Sequence, residues 1–443
     1  MLARVSSLLR NPDVWNRAFV VMDQGLLSGF SFATTLLLMR GMGLDGFGIY
    51  ALLGLGWLWA GGILQALVTQ PMQTLVGARF GRRRARYLAA CQRITLGAAL
   101  VAAIAGWAVV LVWGLGLAVA LAFAWFVSGR CLQSQMRAAA FVAGDRKGPV
   151  YSDTLGQGGG LFLLLFLGPR WDWDLASVLA LQGTLWWAAS LLSWWRFEGR
   201  GSRALPLTLV AGQQWRFGRW LAGMAAVRWL SSNAFLLVVA AQLGPSPMGL
   251  LRGLQSIVGL IGLGLAAMET VLPTTASLKC QAGGPRAALA YLLRFAIWSW
   301  LPVTLSCAAI LMLSDPILHW VLDGKVGPEA PGALAALVCL PIATLASTLY
   351  GIAYRTLERT DRLFLYYGMV ALLVAWLAPV IVAEYGVIGA AWGIALQPAA
   401  LALLLAWGLS KHHRWTILPK PMALPKPMAL PKPQASPKFF GQS

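Results

Sequence analysis

Charge is scarce in this sequence: Asp, Glu, Lys and Arg make up only 11% of its 443 residues, and histidine occurs three times. A soluble domain carries about 25% charged residues, so less than half the charge needed to keep a globule in water is present. Cysteine is equally sparse. Cys91, Cys131, Cys280, Cys307 and Cys339 show no metal-ligand spacing, which excludes a thiolate metal centre and leaves them as small apolar residues. The opening MLARVSSLLRNPDVWNR lacks a cleavable signal pattern, because Arg10, Asp13 and Arg17 interrupt its apolar run. No metal and no cofactor is implied.

What is plentiful is apolar length. The chain is 58% hydrophobic, with a mean hydropathy of +0.69. Apolar stretches of about 18 residues or more recur throughout, enough to cross hydrocarbon about 30 Å thick. Backbone groups in lipid must be satisfied within the segment, so spans this long and apolar are helices. The expectation is an all-α polytopic membrane protein of about twelve transmembrane helices. They begin near Trp15, Gly48, Tyr87, Leu115, Val150, Leu175, Arg216, Met248, Leu289, Gly332, Leu363 and Val387. The 48 glycines suit close helix packing.

The net charge of +20 is distributed by topology. Even-numbered connections hold Arg79, Arg82, Arg83, Arg84 and Arg86, then Arg146 and Lys147, then Arg196, Arg200 and Arg203. Lys279 and Arg286, and then Arg355, Arg359 and Arg362, continue the series, whereas odd connections hold only Arg40, Arg170 and Lys325 among several acids. The positive-inside rule places both termini in the cytoplasm. The basic excess is then for topology and anionic lipid, not nucleic acid.

A duplication is visible. MGLDGFG, with Gly43 and Gly48, is followed by Pro71; LGPSPMG, with Gly244 and Gly249, is followed by Pro273, at an offset of about 200 residues. Ser28 and Ser31 precede the first, Ser231 and Ser232 the second. Six spans per half give halves of the same orientation, related by an axis along the membrane normal. The expected divisions are a bundle over 1–199, a cytoplasmic linker over 200–214, a second bundle over 215–410 and a tail over 411–443. The tail repeats LPKPMA, and so much proline forbids helix.

With these hairpins in view, DQGLLSGFSFATTLLLMRGMGLDGFGIYAL (Asp23 to Leu52) resembles the Wzx-like polysaccharide exporters and flippases of the multidrug/oligosaccharidyl-lipid/polysaccharide (MOP) superfamily. LGPSPMGLLRGLQSIVG, YGIAYRTLERT and YGVIGAAWG add to the likeness. The resemblance implies a V-shaped twelve-helix transporter, not an enzyme. It would move a lipid-linked saccharide, typically on an isoprenoid pyrophosphate, from the cytoplasmic to the outer leaflet. Its partners would be that cargo, membrane lipids, and a polymerase or glycosyltransferases of the same pathway. The family's extra C-terminal spans are missing here.

A charge at mid-bilayer costs about 2.5–3.5 kcal/mol on insertion scales and should face a cavity or a partner. Arg228, in the middle of the seventh span, and Arg130, in the fourth, are candidates for a cationic cavity, because a guanidinium binds two oxygens of a pyrophosphate at once. Arg228 is equally placed to pair with Asp23 across the halves. Arg252 lies toward the outer end of the eighth span. Gln24, Gln65, Gln133, Gln157, Gln242 and Gln255 could bond sugar hydroxyls or neighbouring helices. Trp57, Trp59, Trp125 and Trp298 lie deep, where packing against lipid competes with stacking on sugar.

Three rival readings stand beside this one. A drug/cation antiporter of the same superfamily would need a deep carboxylate cluster, whereas the deep acids are Asp23 and Glu269. A polytopic glycosyltransferase or ligase would need catalytic groups in an outer loop, and the longest one, Ser314 to Pro331, offers only His319, Asp323 and Glu329. A non-transporting scaffold is the third.

Overall fold

The computed structural model describes residues 12–411 except 146, 325 and 326; within it the side chains of 12–24, 78, 82, 263, 266, 267, 269–271 and 274 lie outside the description. The tail beyond 411 therefore lies outside it too.

Three very long helices, Pro12–Leu64, Pro245–Met312 and Thr360–Ser410, each double back at glycine. Gly43 (φ 68°), Gly284 (φ 72°) and Gly386 (φ 59°) take the left-handed region that an L side chain resists. Divided there, the described residues form twelve long helical segments. They are α1 (12–42), α2 (44–78), α3 (Arg84–Val112), α4 (Leu117–Ala143), α5 (147–167) and α6 (Leu175–Trp195). The second six are α7 (Leu207–Gln242), α8 (245–282), α9 (285–312), α10 (330–356), α11 (360–385) and α12 (387–410). A short helix, Ser314–Val321, lies between α9 and α10. This is the all-α, twelve-span architecture that hydropathy implied.

Polar chemistry ends the spans. Ser177 N–H donates to Asp174 Oδ2 at 2.9 Å and caps α6; Gly144 (φ 81°) closes α4 in the left-handed conformation. Alternation puts Gly43, Gly244 and Gly386 on one face of the molecule, here the hairpin face. The connection from α6 to α7 lies on the other, the linker face.

Two cores form. One gathers α2, α3, α4 and α6 with Phe197, Leu205 and Val210. The other gathers α7 to α12 and draws in Leu38, Met39, Phe47, Ala51 and Leu55 from the α1–α2 hairpin. Large apolar side chains cover the outside, with Val112 84% exposed and Leu372 75%, a surface that suits lipid rather than water.

The halves meet at the hairpin face through the duplicated motif. A Cβ on Gly48 would strike the Pro245 carbonyl, and one on Gly249 would strike the Leu44 carbonyl. Leu44 and Pro245 stand at the same offset as Gly48 and Gly249, so the contact is reciprocal, as a pseudo-two-fold axis requires. Arg40 adds a clasp, donating from Nη2 to the Trp320 carbonyl with Cζ 4.8 Å above the Trp320 ring.

Candidate functional site

Beneath that closed face lies a cavity of about 330 Å³. Its walls come from α1 (Ser31, Thr35), α2 (Phe47, Tyr50, Gly54, Trp57, Leu58), α4 (Phe123, Phe126, Arg130), α5 (Gln157) and α6 (Leu179, Gln182, Trp186). The second half contributes Arg252, Gln255 and Ser256 from α8.

Small residues bring these walls together. A Cβ on Gly129 would lie 3.1 Å from the Gly183 carbonyl, and one on Gly183 would lie 2.9 Å from the Phe126 nitrogen. Bare α4 and α6 thus cross closely and set Arg130 beside Gln182 and Trp186. Two indoles secure the crossing. Trp125 and Trp187 stack at 4.9 Å; Trp125 Nε1 donates to Thr184 and Trp187 Nε1 to Ser128, each at 3.2 Å.

A π-helical turn over Thr154–Gly158 widens α5 at the cavity's depth; such turns recur at functional positions. It carries Gln157 into the wall and presses Gly156 against the Trp186 ring. The Arg130 guanidinium also meets that ring, its Cζ 4.0 Å from the Trp186 centroid and 5.0 Å from that of Trp57. Such contacts stabilise a cation by about 0.5–2 kcal/mol. Tyr50 donates to Gln182 Oε1 at 2.8 Å, and Arg252 donates to Gln255 Oε1 at 3.1 Å.

Arg130, Arg252, Gln157 and Gln255, all singled out in the sequence, are brought to one cavity. Arg228 is not: it is exposed on α7 and absent from the lining. The side chains of Asp23, Gln24 and Glu269 lie outside the described residues, and with them the proposed Asp23–Arg228 pair. Gln133 is turned away to donate to Ser152 Oγ at 2.7 Å and Asp153 Oδ1 at 3.1 Å. Trp57 lines the cavity, whereas Trp298 is 77% exposed.

The acids differ from the sequence reading. Asp153, 4% exposed, is buried in α5 and bonded to Arg137 Nε at 2.7 Å. It escaped notice because it falls just inside the expected start of its span, where loop and membrane look alike. The readable signal was Gln133 and Arg137, one helical turn apart on α4. Tyr50 and Gln182 were missed because neither is costly in an apolar run. Among the described residues no group of His, Cys, Asp and Glu could hold a metal ion.

The cavity therefore presents two guanidinium groups, amides, hydroxyls and indoles, and no carboxylate among its lining residues. It can bind an anion and hydrogen-bond a polyhydroxylated group beside it. No protein-family model and no curated protein matches the chain. Solved structures do. It is similar to the inward-facing conformation of a multidrug resistance MATE family transporter of the MOP superfamily, with a TM-score of 0.72 and 12% identity over 89% of this chain and 99% of that one. It is also similar to the lipid II flippase MurJ in its inward closed conformation, with a TM-score of 0.68 and 12% identity over 90% of this chain and 87% of that one. A MOP superfamily transporter from Pyrococcus furiosus, described as having reversed polarity of its binding pocket, aligns with a TM-score of 0.63 and 14% identity over 91% of this chain and 97% of that one. The likeness is one of fold: this multi-pass chain has the architecture of the MOP-superfamily transporters.

Proposed function

We propose that the chain is a flippase that carries a lipid-linked saccharide, on an isoprenoid pyrophosphate, across the bacterial inner membrane by alternating access. The observation that carries this reading is the charge of the cavity: Arg130 and Arg252 face it from the two halves, and no lining residue is acidic. A guanidinium grips phosphoryl oxygens in pairs, and the adjoining amides and indoles suit sugar hydroxyls and ring faces. Binding between halves lets the cargo draw both toward itself, which couples occupancy to their movement. The chain binds and moves its cargo and breaks no covalent bond; Wzx-like exporters are the branch that this chemistry fits. With the linker face cytoplasmic, the structure would be the inward-facing state, sealed at the hairpin face.

The test is reconstitution into proteoliposomes with a fluorescent isoprenoid-pyrophosphate saccharide and a leaflet-specific reductant. Protein-dependent exchange between leaflets, lost in Arg130→Gln, is the expected result. One observation favours the second reading, a cation-coupled antiporter: Asp153 is a buried acid in the first half. Sodium- or proton-driven efflux of a cationic dye, without movement of the saccharide lipid, would establish that alternative.

A further inference from the structure

Arg130 is held by ring faces rather than by acceptors. Among the described residues its guanidinium meets Trp186 and Trp57 but forms no hydrogen bond or ion pair. A ring face stabilises the charge through its quadrupole and uses no N–H, so the five donors of the fork remain available to the cavity.

The buried carboxylate nearest in register is Asp153: Gln133, one turn along α4 from Arg130, donates to it, and its charge is felt at Arg130. It is engaged elsewhere. Arg137 Nε lies 2.7 Å from Oδ2, and Gln133 Nε2 donates to Oδ1 at 3.1 Å. Arg130, Gln133 and Arg137 are spaced three and four residues apart, so they share one face of α4. That face thus carries two guanidinium groups, of which Arg137 is the one paired with the buried acid.

We propose that Arg137 is a positioning residue of the anion site: by holding Asp153 it keeps that carboxylate from neutralising Arg130. The inference rests on the anion-binding reading of the cavity. A carboxylate bound to Arg130 would occupy the same paired donors as a phosphoryl group, and a buried acid deprived of its partner is driven to the next cation. Arg137 itself does not line the cavity, so its effect on cargo would pass through Asp153.

The experiment uses the full chain in detergent micelles, with inorganic pyrophosphate as probe and calorimetry at fixed ionic strength. Arg137→Gln is expected to weaken binding at least tenfold. Arg137→Gln combined with Asp153→Asn is expected to return it to within about threefold of the original chain, a pattern that a structural strut would not produce. If Arg137→Gln does not fold, Asp153→Asn alone serves: binding as tight as the original chain, or tighter, supports the proposal, and weaker binding by folded protein overturns it. Unchanged affinity in folded Arg137→Gln overturns the proposal while leaving the cavity reading intact, provided that Arg130→Gln abolishes binding. If Arg130→Gln also binds normally, the cavity reading fails and this inference with it.

Discussion

Arg252 enters the cavity on α8, which supplies every second-half residue of the described lining, and its guanidinium already gives one donor to Gln255. The remaining donors can fork a phosphoryl group, which a lysine ammonium cannot do. Arg252→Gln should therefore lower saccharide-lipid exchange at least tenfold, with Arg252→Lys intermediate, in the leaflet-specific assay. On the linker face the Arg196–Asp145 pair, at 2.9 Å, has a structural role. Arg196 holds the Asp145 carboxyl below its ordinary value, chiefly by hydrogen bonding, and Asp145 raises Arg196 in return. A depressed carboxylate stabilises the fold above its unfolded pKa of about 3.9, and the contribution is lost as pH falls through the lower folded value. The raised arginine contributes at every pH below its own unfolded value, so only the acid side changes. Because Arg196 is 47% exposed, the pair is worth about 0–1 kcal/mol. Asp145→Asn should lower Tm by about 1–2 °C at neutral pH, the difference narrowing as pH falls below the unfolded value of about 3.9 and through the lower folded one. Residues also show what sequence could disclose. Arg130 and Arg252 were legible because an arginine within an apolar run must be accommodated. Depth in a span, however, does not give the direction around the helix, so Arg228 had the depth of a cavity residue and faces elsewhere.

Among the elements, the α2–α8 contact decides whether the hairpin face can close. Its motif was legible as a repeat, but that the two copies touch each other was not, because a spacing along the chain carries no distance across the fold. Alanine within a helix usually stabilises relative to glycine by about 0.5–1 kcal/mol. At Gly48 and Gly249 the added methyl would meet backbone carbonyls, which cannot move aside without separating α2 from α8. Gly48→Ala should open the hairpin face: Thr35→Cys, placed in the cavity wall, should react at least fivefold faster with a membrane-impermeant thiol reagent applied from that side. Gly249→Ala should act alike, by symmetry. Gly62→Ala, whose Cβ would meet nothing within 4 Å, is the control. Equal reactivity in all three variants would show that the seal lies elsewhere.

For the whole molecule, α7 is the helix that the halves share. Its linker-side part joins the first core through Val210, and Gln214 Nε2 donates to Cys91 Sγ at 3.2 Å. A Cβ on Gly218 would stand 2.6 Å from the Ala66 carbonyl, in the π-helical turn Gln65–Thr69 of α2. The hairpin-side part joins the second core through Ala234, Phe235, Leu236 and Val239, with Gln397 Nε2 donating to Ser231 Oγ at 2.7 Å. Between these anchors, residues 219–230 include none that is buried. If the halves rock against each other, this helix must bend or one anchor must part. The hairpin-side anchor buries three large or branched apolar side chains, Phe235, Leu236 and Val239, beside Ala234, and pairs the Gln397 amide with Ser231; the linker-side one leaves Gln214 Oε1 buried without a partner among the described residues, which costs about 1–3 kcal/mol. The linker-side anchor is therefore the one that should yield. Gly218→Ala drives a methyl into α2 backbone while leaving the cavity untouched. It should raise labelling of the native Cys91, fully buried in this state, at least tenfold, located by mass spectrometry of the modified peptides. Gly48→Ala acts at the other face and should leave Cys91 protected, since opening the hairpin side presses the linker side together. Labelling of Cys91 unaffected by Gly218→Ala, or raised equally by Gly48→Ala, would mean that α7 follows the first half throughout and that the bend falls within its bare middle.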